Sequence, residues 1–241
     1  MGRHLLDYTF DTPEANIACD EALLNWCEID QSTEILRLWE SPTYFSVLGL
    51  SNKYEDELNV EACTKQKIPI LRRCSGGGTV LQGPGCLNYA LILKINASEK
   101  CNSICETNDY ILENMARSLS KLGQKIERRG ISDLALGDVK ISGTAQKRKR
   151  HYLLFHGTLL YNFDLEKISQ FLAFPTLQPD YRQNRKHADF VQNLAAPLPL
   201  LKDTLSQIWE AKESLDIAPF LGDIHAISIT KYADPKWNKK R

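Results

Sequence analysis

The chain has 241 residues, with 30 basic and 30 acidic side chains and no formal net charge; 43% hydrophobic against 25% charged residues is the balance of a globular protein, not a disordered one. A neutral chain excludes a polyanion as the expected partner, so no nucleic-acid binding is expected despite the basic end KWNKKR. The longest apolar runs, such as YALILKI at 89–95, fall far short of the ~20 residues that cross a bilayer, so no membrane association is expected. The opening MGRHLLDYTFDTPE lacks an apolar stretch of signal-peptide length, and the seven cysteines include no C-x-x-C pair; both point to reduced thiols in the cytoplasm. Cys101 and Cys105 stand four apart with no second Cys or His pair nearby, so no metal site is expected.

In chain order, Thr12-Pro13-Glu14 reads as a helix start, and NIACDEALLNWCE (16–28) puts Ile17, Leu24 and Cys27 on one helical face. EILRLWE (34–40) and YFSVLGL (44–50) alternate like strands around Ser41-Pro42-Thr43, which suggests a hairpin. A charged stretch at 53–66 reads as a surface helix, and IPILRR (68–73) as a strand. Beyond lie a strand at 87–95, an amphipathic helix from Ser103 to Leu122, and strands at 125–129, 138–148 and 152–163. Asp164 then caps a short helix through Leu172, a helix runs from Leu198 to Ser214, and AISITKY (226–232) reads as a last strand. The fold class expected is mixed α/β, of the α+β kind, with a largely antiparallel sheet flanked by helices. With no linker or repeat in the chain, residues 1–241 read as a single catalytic domain, with 195–241 packed on it as a helix and a strand and no full accessory domain.

The segment RRCSGGGTVLQGPG (72–85) spends three of the chain's 13 glycines side by side. Leaving a strand, such a run exposes several N–H groups that can converge on a phosphate, with Arg72 and Arg73 adding charge and Ser75 a hydroxyl; a plain flexible turn is the other reading. The spacing matches neither a P-loop nor a dinucleotide-binding loop. Further on, GDVKISGTAQKRKR (137–150) and LLFHGTLL (153–160) put Lys140, Ser142-Gly143, Ala145 and His156-Gly157 on adjacent strands. A lysine there would clamp a phosphate or a developing oxyanion, whereas a lone strand lysine is otherwise a solvated edge residue.

Taken together, NIACDEALL, ILRLWE, LRRCSGGGTVLQGPGCLNYALIL, SDLALGDVKISGTAQ and HGTLLYNFD, and more loosely YRQNRKHADFVQNL and KYADPKWNKKR, resemble the lipoate-protein ligase family, whose catalytic domain is related to biotin-protein ligases. The resemblance implies an enzyme that activates lipoate or octanoate with ATP and Mg²⁺ as an acyl-adenylate. It then transfers the acyl group to a lysine of a lipoyl carrier domain, such as the E2 of a 2-oxoacid dehydrogenase or the glycine cleavage H protein. It implies Lys140 as the catalytic residue. It further implies that Arg73, Ser75, Gly76, Gly77, Gly78 and Thr79, flanked by Arg72 and Val80, close over the acyl-adenylate, with Ser142, Gly143 and Ala145 beside them. His156 and Gly157 would line the acyl pocket, the alternative being a core histidine bonded to a backbone carbonyl. Asp133 would hold Lys140 or help place Mg²⁺, or else be a surface carboxylate at a turn.

The same fold carries octanoyltransferases that form a thioester on cysteine without ATP. The position just upstream of the HG pair is Leu153, and RRGISDL (128–134) has no cysteine either; Cys86 in GPGCLN is the remaining candidate nucleophile. Many bacterial ligases carry an accessory domain of some length, and about 55 residues follow Arg185, so a separate accessory subunit is one expectation and a binding protein without chemistry another. Lys140 and the intact SGGG speak against the latter. KRKR (147–150) would steer an acidic carrier or form a solvated hairpin tip. Biotin is disfavoured, since RRxSGGG stands where biotin ligases usually carry GRGRxGR.

Overall fold

The computed structural model describes residues 3–95, 99–175 and 177–240. Strands β1 (Arg3–Asp7), β2 (Ile35–Trp39), β6 (Cys86–Lys94), β7 (Ile126–Arg129), β8 (Asp133–Leu136), β9 (Val139–Arg148), β10 (Tyr152–Leu160) and β11 (Ala211–Ser214) form one sheet in the order β11-β1-β2-β6-β10-β9-β8-β7. β3 (Phe45–Leu48), β4 (Ile70–Arg72) and β5 (Val80–Gln82) form a second, smaller sheet in the order β4-β3-β5. β1 is parallel to β2 and β11, and every other pairing in the large sheet is antiparallel, so the expected mixed fold class holds.

The large sheet is covered on both faces. On one side Leu36, Leu91, Leu93, Leu153 and Phe155 meet Ile111, Leu112 and Met115 of the helix Ile104–Leu119. On the other, Ile35, Trp39, Ile92 and Leu154 meet Ile17, Leu23 and Leu24 of the helix Pro13–Asp30, with Phe45 and Val47 of β3. Strands buried on both faces read as nearly continuous apolar runs, which is why β6 was legible as a strand but not its sidedness. The helix starts are local: Thr12 Oγ1 accepts from Ala15 N at 3.3 Å, and Ser103 and Glu106 form a reciprocal capping box. Among the described residues no helix is long and apolar enough to cross a membrane.

Four expectations are corrected. β2 and β3 do not form a hairpin: both ladders of β2 are taken, by β1 and β6, and β3 belongs to the other sheet. The helix expected at 53–66 breaks at Leu58, which bridges to Leu172, leaving Tyr54–Glu57 and Val60–Lys65, the latter capped by Asn59. The helix from Leu198 stops at Ile208; Glu210 takes φ 51°, and the chain continues as β11 alongside β1. AISITKY is helical, within Leu221–Ile227 and a π-helical turn at Ser228–Tyr232. Buried Ile224 and Tyr232 lie eight apart on the side facing the helix Pro13–Asp30, a helical spacing masked by the alternating β-branched residues. Asp164 does act at its helix start, its Oδ1 accepting from Glu166 N at 3.2 Å.

Candidate active site

Two adjoining cavities lie between the small sheet and β9–β10. The first, about 120 Å³, is floored by Leu154, His156 and Thr158 of β10 with Trp39 of β2, and roofed by Val47, Val80 and the glycine loop. Alternation explains the floor: residues 154, 156 and 158 share one face of β10, while Leu153, Phe155 and Leu159 enter the opposite core. The second, about 100 Å³, lies beside Ser142, Arg182, His187 and Phe190. Lys140, Gly143, Thr79 and Val80 line both.

A bulge aims Lys140. Leu134 pairs with Ser142 and Ala135 with Lys140, so Ile141 is an extra residue in β9 and the side chain before it is redirected. Lys140 Nζ lies 2.8 Å from Asp133 Oδ1, and Tyr181 donates its hydroxyl to Asp133 Oδ2 at 2.8 Å. Asp133 is 4% exposed, so it is a buried holder of the lysine and not a surface carboxylate. A Cβ on Gly143 would stand 2.7 Å from Lys140 Nζ, so the missing side chain is what lets the ammonium lie there. Both Asp133 oxygens are engaged, and among the described residues no group of three or more His, Cys, Asp or Glu could hold a metal. Among the described residues, then, no side-chain cage for Mg²⁺ is present.

Arg73 holds the glycine loop from within. Its Nη2 donates to Gly78 O at 2.8 Å, its Nε to Gly76 O at 3.1 Å and to Ser75 Oγ at 3.0 Å, and its Nη1 to Val47 O at 3.3 Å. Burial lowers its pKa to about 10, still charged at neutral pH. Gly77 takes φ +85°, and a Cβ there would stand 2.9 Å from Arg73 Nη2; Gly76 and Gly78 open onto free space. The loop is therefore a folded turn and not a flexible connection.

His156 is joined to this loop. Ser75 Oγ lies 2.6 Å from His156 Nε2; the Asp20 carboxylate on the other side of the ring can only accept, which puts the ring proton on Nδ1 and leaves Nε2 to accept from the serine hydroxyl, whose oxygen accepts from Arg73. His156 Nδ1–H then faces Asp20 Oδ2 at 3.5 Å, and Asp20 Oδ1 is paired with Arg37. Arg37, fully buried on β2, also donates to Asn16 O at 2.7 Å and Asn16 Oδ1 at 2.9 Å. The alternative of a core histidine bonded to a backbone carbonyl is thus replaced by a directed chain, Arg73 to Ser75 to His156 to Asp20.

Other expected residues lie elsewhere. Arg72 does not line either cavity; its guanidinium is fully buried against backbone carbonyls of Gly49, Asn52, Asn238 and Lys240. Adjacent strand residues face opposite sides, so only one arginine of the pair can reach the cavity. Cys86 is fully buried beside Leu160 and Phe163 and lines neither cavity, and burial pushes its thiol up to about 12, which leaves little thiolate at neutral pH. Ala145 and Gly157 line the first cavity, and Ser142 the second. Within KRKR, Arg148 is structural, donating to Cys101 O at 2.7 Å, and Lys149 and Arg150 are exposed.

Residues that the motifs did not reveal are Asp20, Arg37, Trp39, Tyr181 and Arg182. A charge in the middle of the apolar strand ILRLW was the available signal for Arg37. Arg182, 5% exposed, stacks on Phe190 at 4.7 Å and Phe174 at 5.0 Å, and donates Nη2 toward His187 Nδ1 at 3.4 Å. Burial lowers the pKa of His187, keeping it a neutral acceptor for that bond while its Nε2–H meets Ala173 O at 3.1 Å.

The family model described as the lipoyl protein ligase A/B catalytic domain matches residues 12–214. A Mycoplasma pneumoniae protein named as a lipoate-protein ligase A is 28% identical over 172 residues, covering 71% of this chain and 49% of that one; this chain spans about half the length of that relative. The octanoyltransferase LipM of Bacillus subtilis is 23% identical over 266 residues, covering 95% of each. Among solved structures, the bi-partite lipoate protein ligase of Thermoplasma acidophilum, studied with its E2 lipoyl domain, superposes with a TM-score of 0.83 at 21% identity over 99% of this chain and 96% of that one. A lipoate-protein ligase A bound with ATP gives 0.82 at 22% identity over 99% of both. At such identities the superpositions establish a shared fold.

Proposed function

The chain belongs to the lipoyl protein ligase A/B catalytic-domain family, and on that premise we propose that it is an ATP-dependent ligase for lipoate or octanoate, acting on a lysine of a lipoyl carrier domain. The observation that carries this reading is Lys140, which lines both cavities at once. The first cavity, with Trp39, Val47, Val80 and Leu154 in its walls, suits an acyl chain. The second, with buried Arg182 beside Lys140, suits the phosphate of a nucleotide, the ligand held in one solved relative. In this reading the acid's carboxylate oxygen attacks the α-phosphorus of ATP and pyrophosphate leaves. Lys140 stabilises the charge that builds on the phosphate oxygens. The carrier's neutral lysine amine then attacks the acyl carbonyl, Lys140 supports the oxyanion, and AMP leaves as the amide forms. Ser75, His156 and Asp20 hold the glycine loop against the acid.

A second reading, acyl transfer through a cysteine without ATP, is favoured by the octanoyltransferase relative, which matches nearly the whole chain. Against it, Cys74, the cysteine that lines the first cavity, is pushed up to about 12 by burial, so thiolate is scarce at neutral pH. The deciding experiment supplies Mg²⁺-ATP and either acid, follows pyrophosphate, and weighs an added apo carrier domain, with and without cell extract as a source of a second subunit. Pyrophosphate release that depends on the acid, with a matching mass gain on the carrier, is the expected outcome. Transfer from an octanoyl thioester without ATP would replace the ligase by the transferase. In the same assay Cys86→Ser should keep full activity while losing about 1 kcal/mol of stability for a buried hydroxyl; complete loss of turnover in the folded variant would return Cys86 to the mechanism.

A further inference from the structure

Arg72 stands directly before the loop that covers the first cavity, yet its side chain turns away from it. We propose that residues 231–240 are a positioning strap for this loop: Trp237 and Asn238 close the outer edge of β4 and, through Arg72, fix where the loop begins, so that acid binding depends on them. This rests on reading the first cavity as the acid site.

β4 is an edge strand, paired with β3 alone. The N–H of Arg73 is bonded to Leu48 O of β3 at 3.0 Å, so the N–H and C=O of Arg72 point outward, where an edge strand leaves them unpaired. Both are satisfied by side chains of the strap. Arg72 N donates to Asn238 Oδ1 at 2.9 Å, and Trp237 Nε1 donates to Arg72 O at 2.7 Å. One acceptor and one donor thus do at Arg72 what a further strand would do.

The guanidinium of Arg72 extends the tie. It donates to Lys240 O at 2.8 Å and Asn238 O at 3.1 Å on the strap, and to Gly49 O at 2.9 Å and Asn52 O at 2.7 Å in the turn after β3. That turn grips the glycine loop: Leu50 N donates to Ser75 O at 2.8 Å, and Asn52 Nδ2 to Thr79 Oγ1 at 3.0 Å. The loop is therefore held at both ends by a turn that Arg72 ties to the strap. Asn238 Nδ2 closes the strap on itself through Tyr232 O at 2.7 Å, and Lys231 and Tyr232 both bind Glu21, the neighbour of Asp20. A buried guanidinium bonded to several backbone carbonyls leaves them unpaired when it shifts, so the register of the strap is transmitted to the loop.

The test uses Trp237→Phe, which removes the indole N–H and keeps an aromatic ring against Lys231 and Tyr232, and Asn238→Ala. Leu205→Ala, in the core on the other face of the large sheet, serves as a stability control. In the unliganded protein, amide exchange at 75–79 relative to 87–93 should quicken about tenfold in both strap variants, and KM for lipoate should rise by about the same factor with kcat nearly unchanged. Leu205→Ala should alter neither ratio. Unchanged exchange at 75–79 in both strap variants, or an equal KM rise in the control, overturns the proposal. Quickened exchange in a protein that activates no acid supports the strap while overturning the functional reading.

Discussion

Lys140→Ala is expected to lower kcat/KM for acid-dependent pyrophosphate release by about 10³-fold or more, the upper range for removing one preorganised donor to a developing charge. The effect should appear in both half-reactions, because the same ammonium borders both cavities. Transfer from separately prepared acyl-adenylate should therefore fall as well, which distinguishes a lysine serving both steps from one serving ATP alone. The fold should survive. Asp133 keeps its bond from Tyr181, and the lysine side chain is 27% exposed, so the lost pair is worth about 1–2 kcal/mol, less than the 3–5 kcal/mol for breaking a fully buried pair. Thermal melting alongside the kinetics checks this. Wild-type turnover in the folded variant would take Lys140 out of the chemistry and, with it, the observation on which the ligase reading rests.

What the sequence made legible was local. Three glycines after Arg73 and Ser75, and a lysine three residues before Gly143, mark backbone and charge requirements that are met within a few residues. What it hid depends on partners far away in the chain. Arg72 and Arg73 are indistinguishable as letters, and only the pairing of β4 with β3 decides which side chain meets the cavity. Asp20 and Arg37 lie on a helix and a strand, and their union under His156 requires the strand to be buried on that face. β11 is a strand because β1, more than two hundred residues earlier, leaves a ladder open to it. Tyr181 and Arg182 lie in a segment with little regular structure, so no periodicity marked them as residues that face Asp133 and the second cavity. Close approach is required at Gly77, whereas Gly76 and Gly78 face open space and serve through their carbonyls, which Arg73 binds.

Gly143→Ala should separate activity from stability. The glycine does not adopt a left-handed conformation, so alanine fits the backbone and should stabilise by roughly 0.4–1 kcal/mol through the unfolded chain. Its Cβ, however, would stand 2.7 Å from Lys140 Nζ and 2.9 Å from Cε, inside van der Waals contact. The clash is with the free end of a flexible side chain, so the lysine moves and the strand does not. A displacement of ~1 Å at the reacting centre costs on the order of 10²-fold in rate. The expected variant therefore melts no lower than the parent and turns over about a hundredfold more slowly, with KM for the acid little changed. Gly77→Ala makes the contrast, because its φ of +85° adds backbone strain of about 1–2 kcal/mol and its Cβ meets the guanidinium that organises the loop, so stability and KM should suffer together. An unimpaired kcat in Gly143→Ala would mean that Lys140 acts from a position other than the one beside Asp133, and that the bulge at Ile141 aims it for packing and not for chemistry.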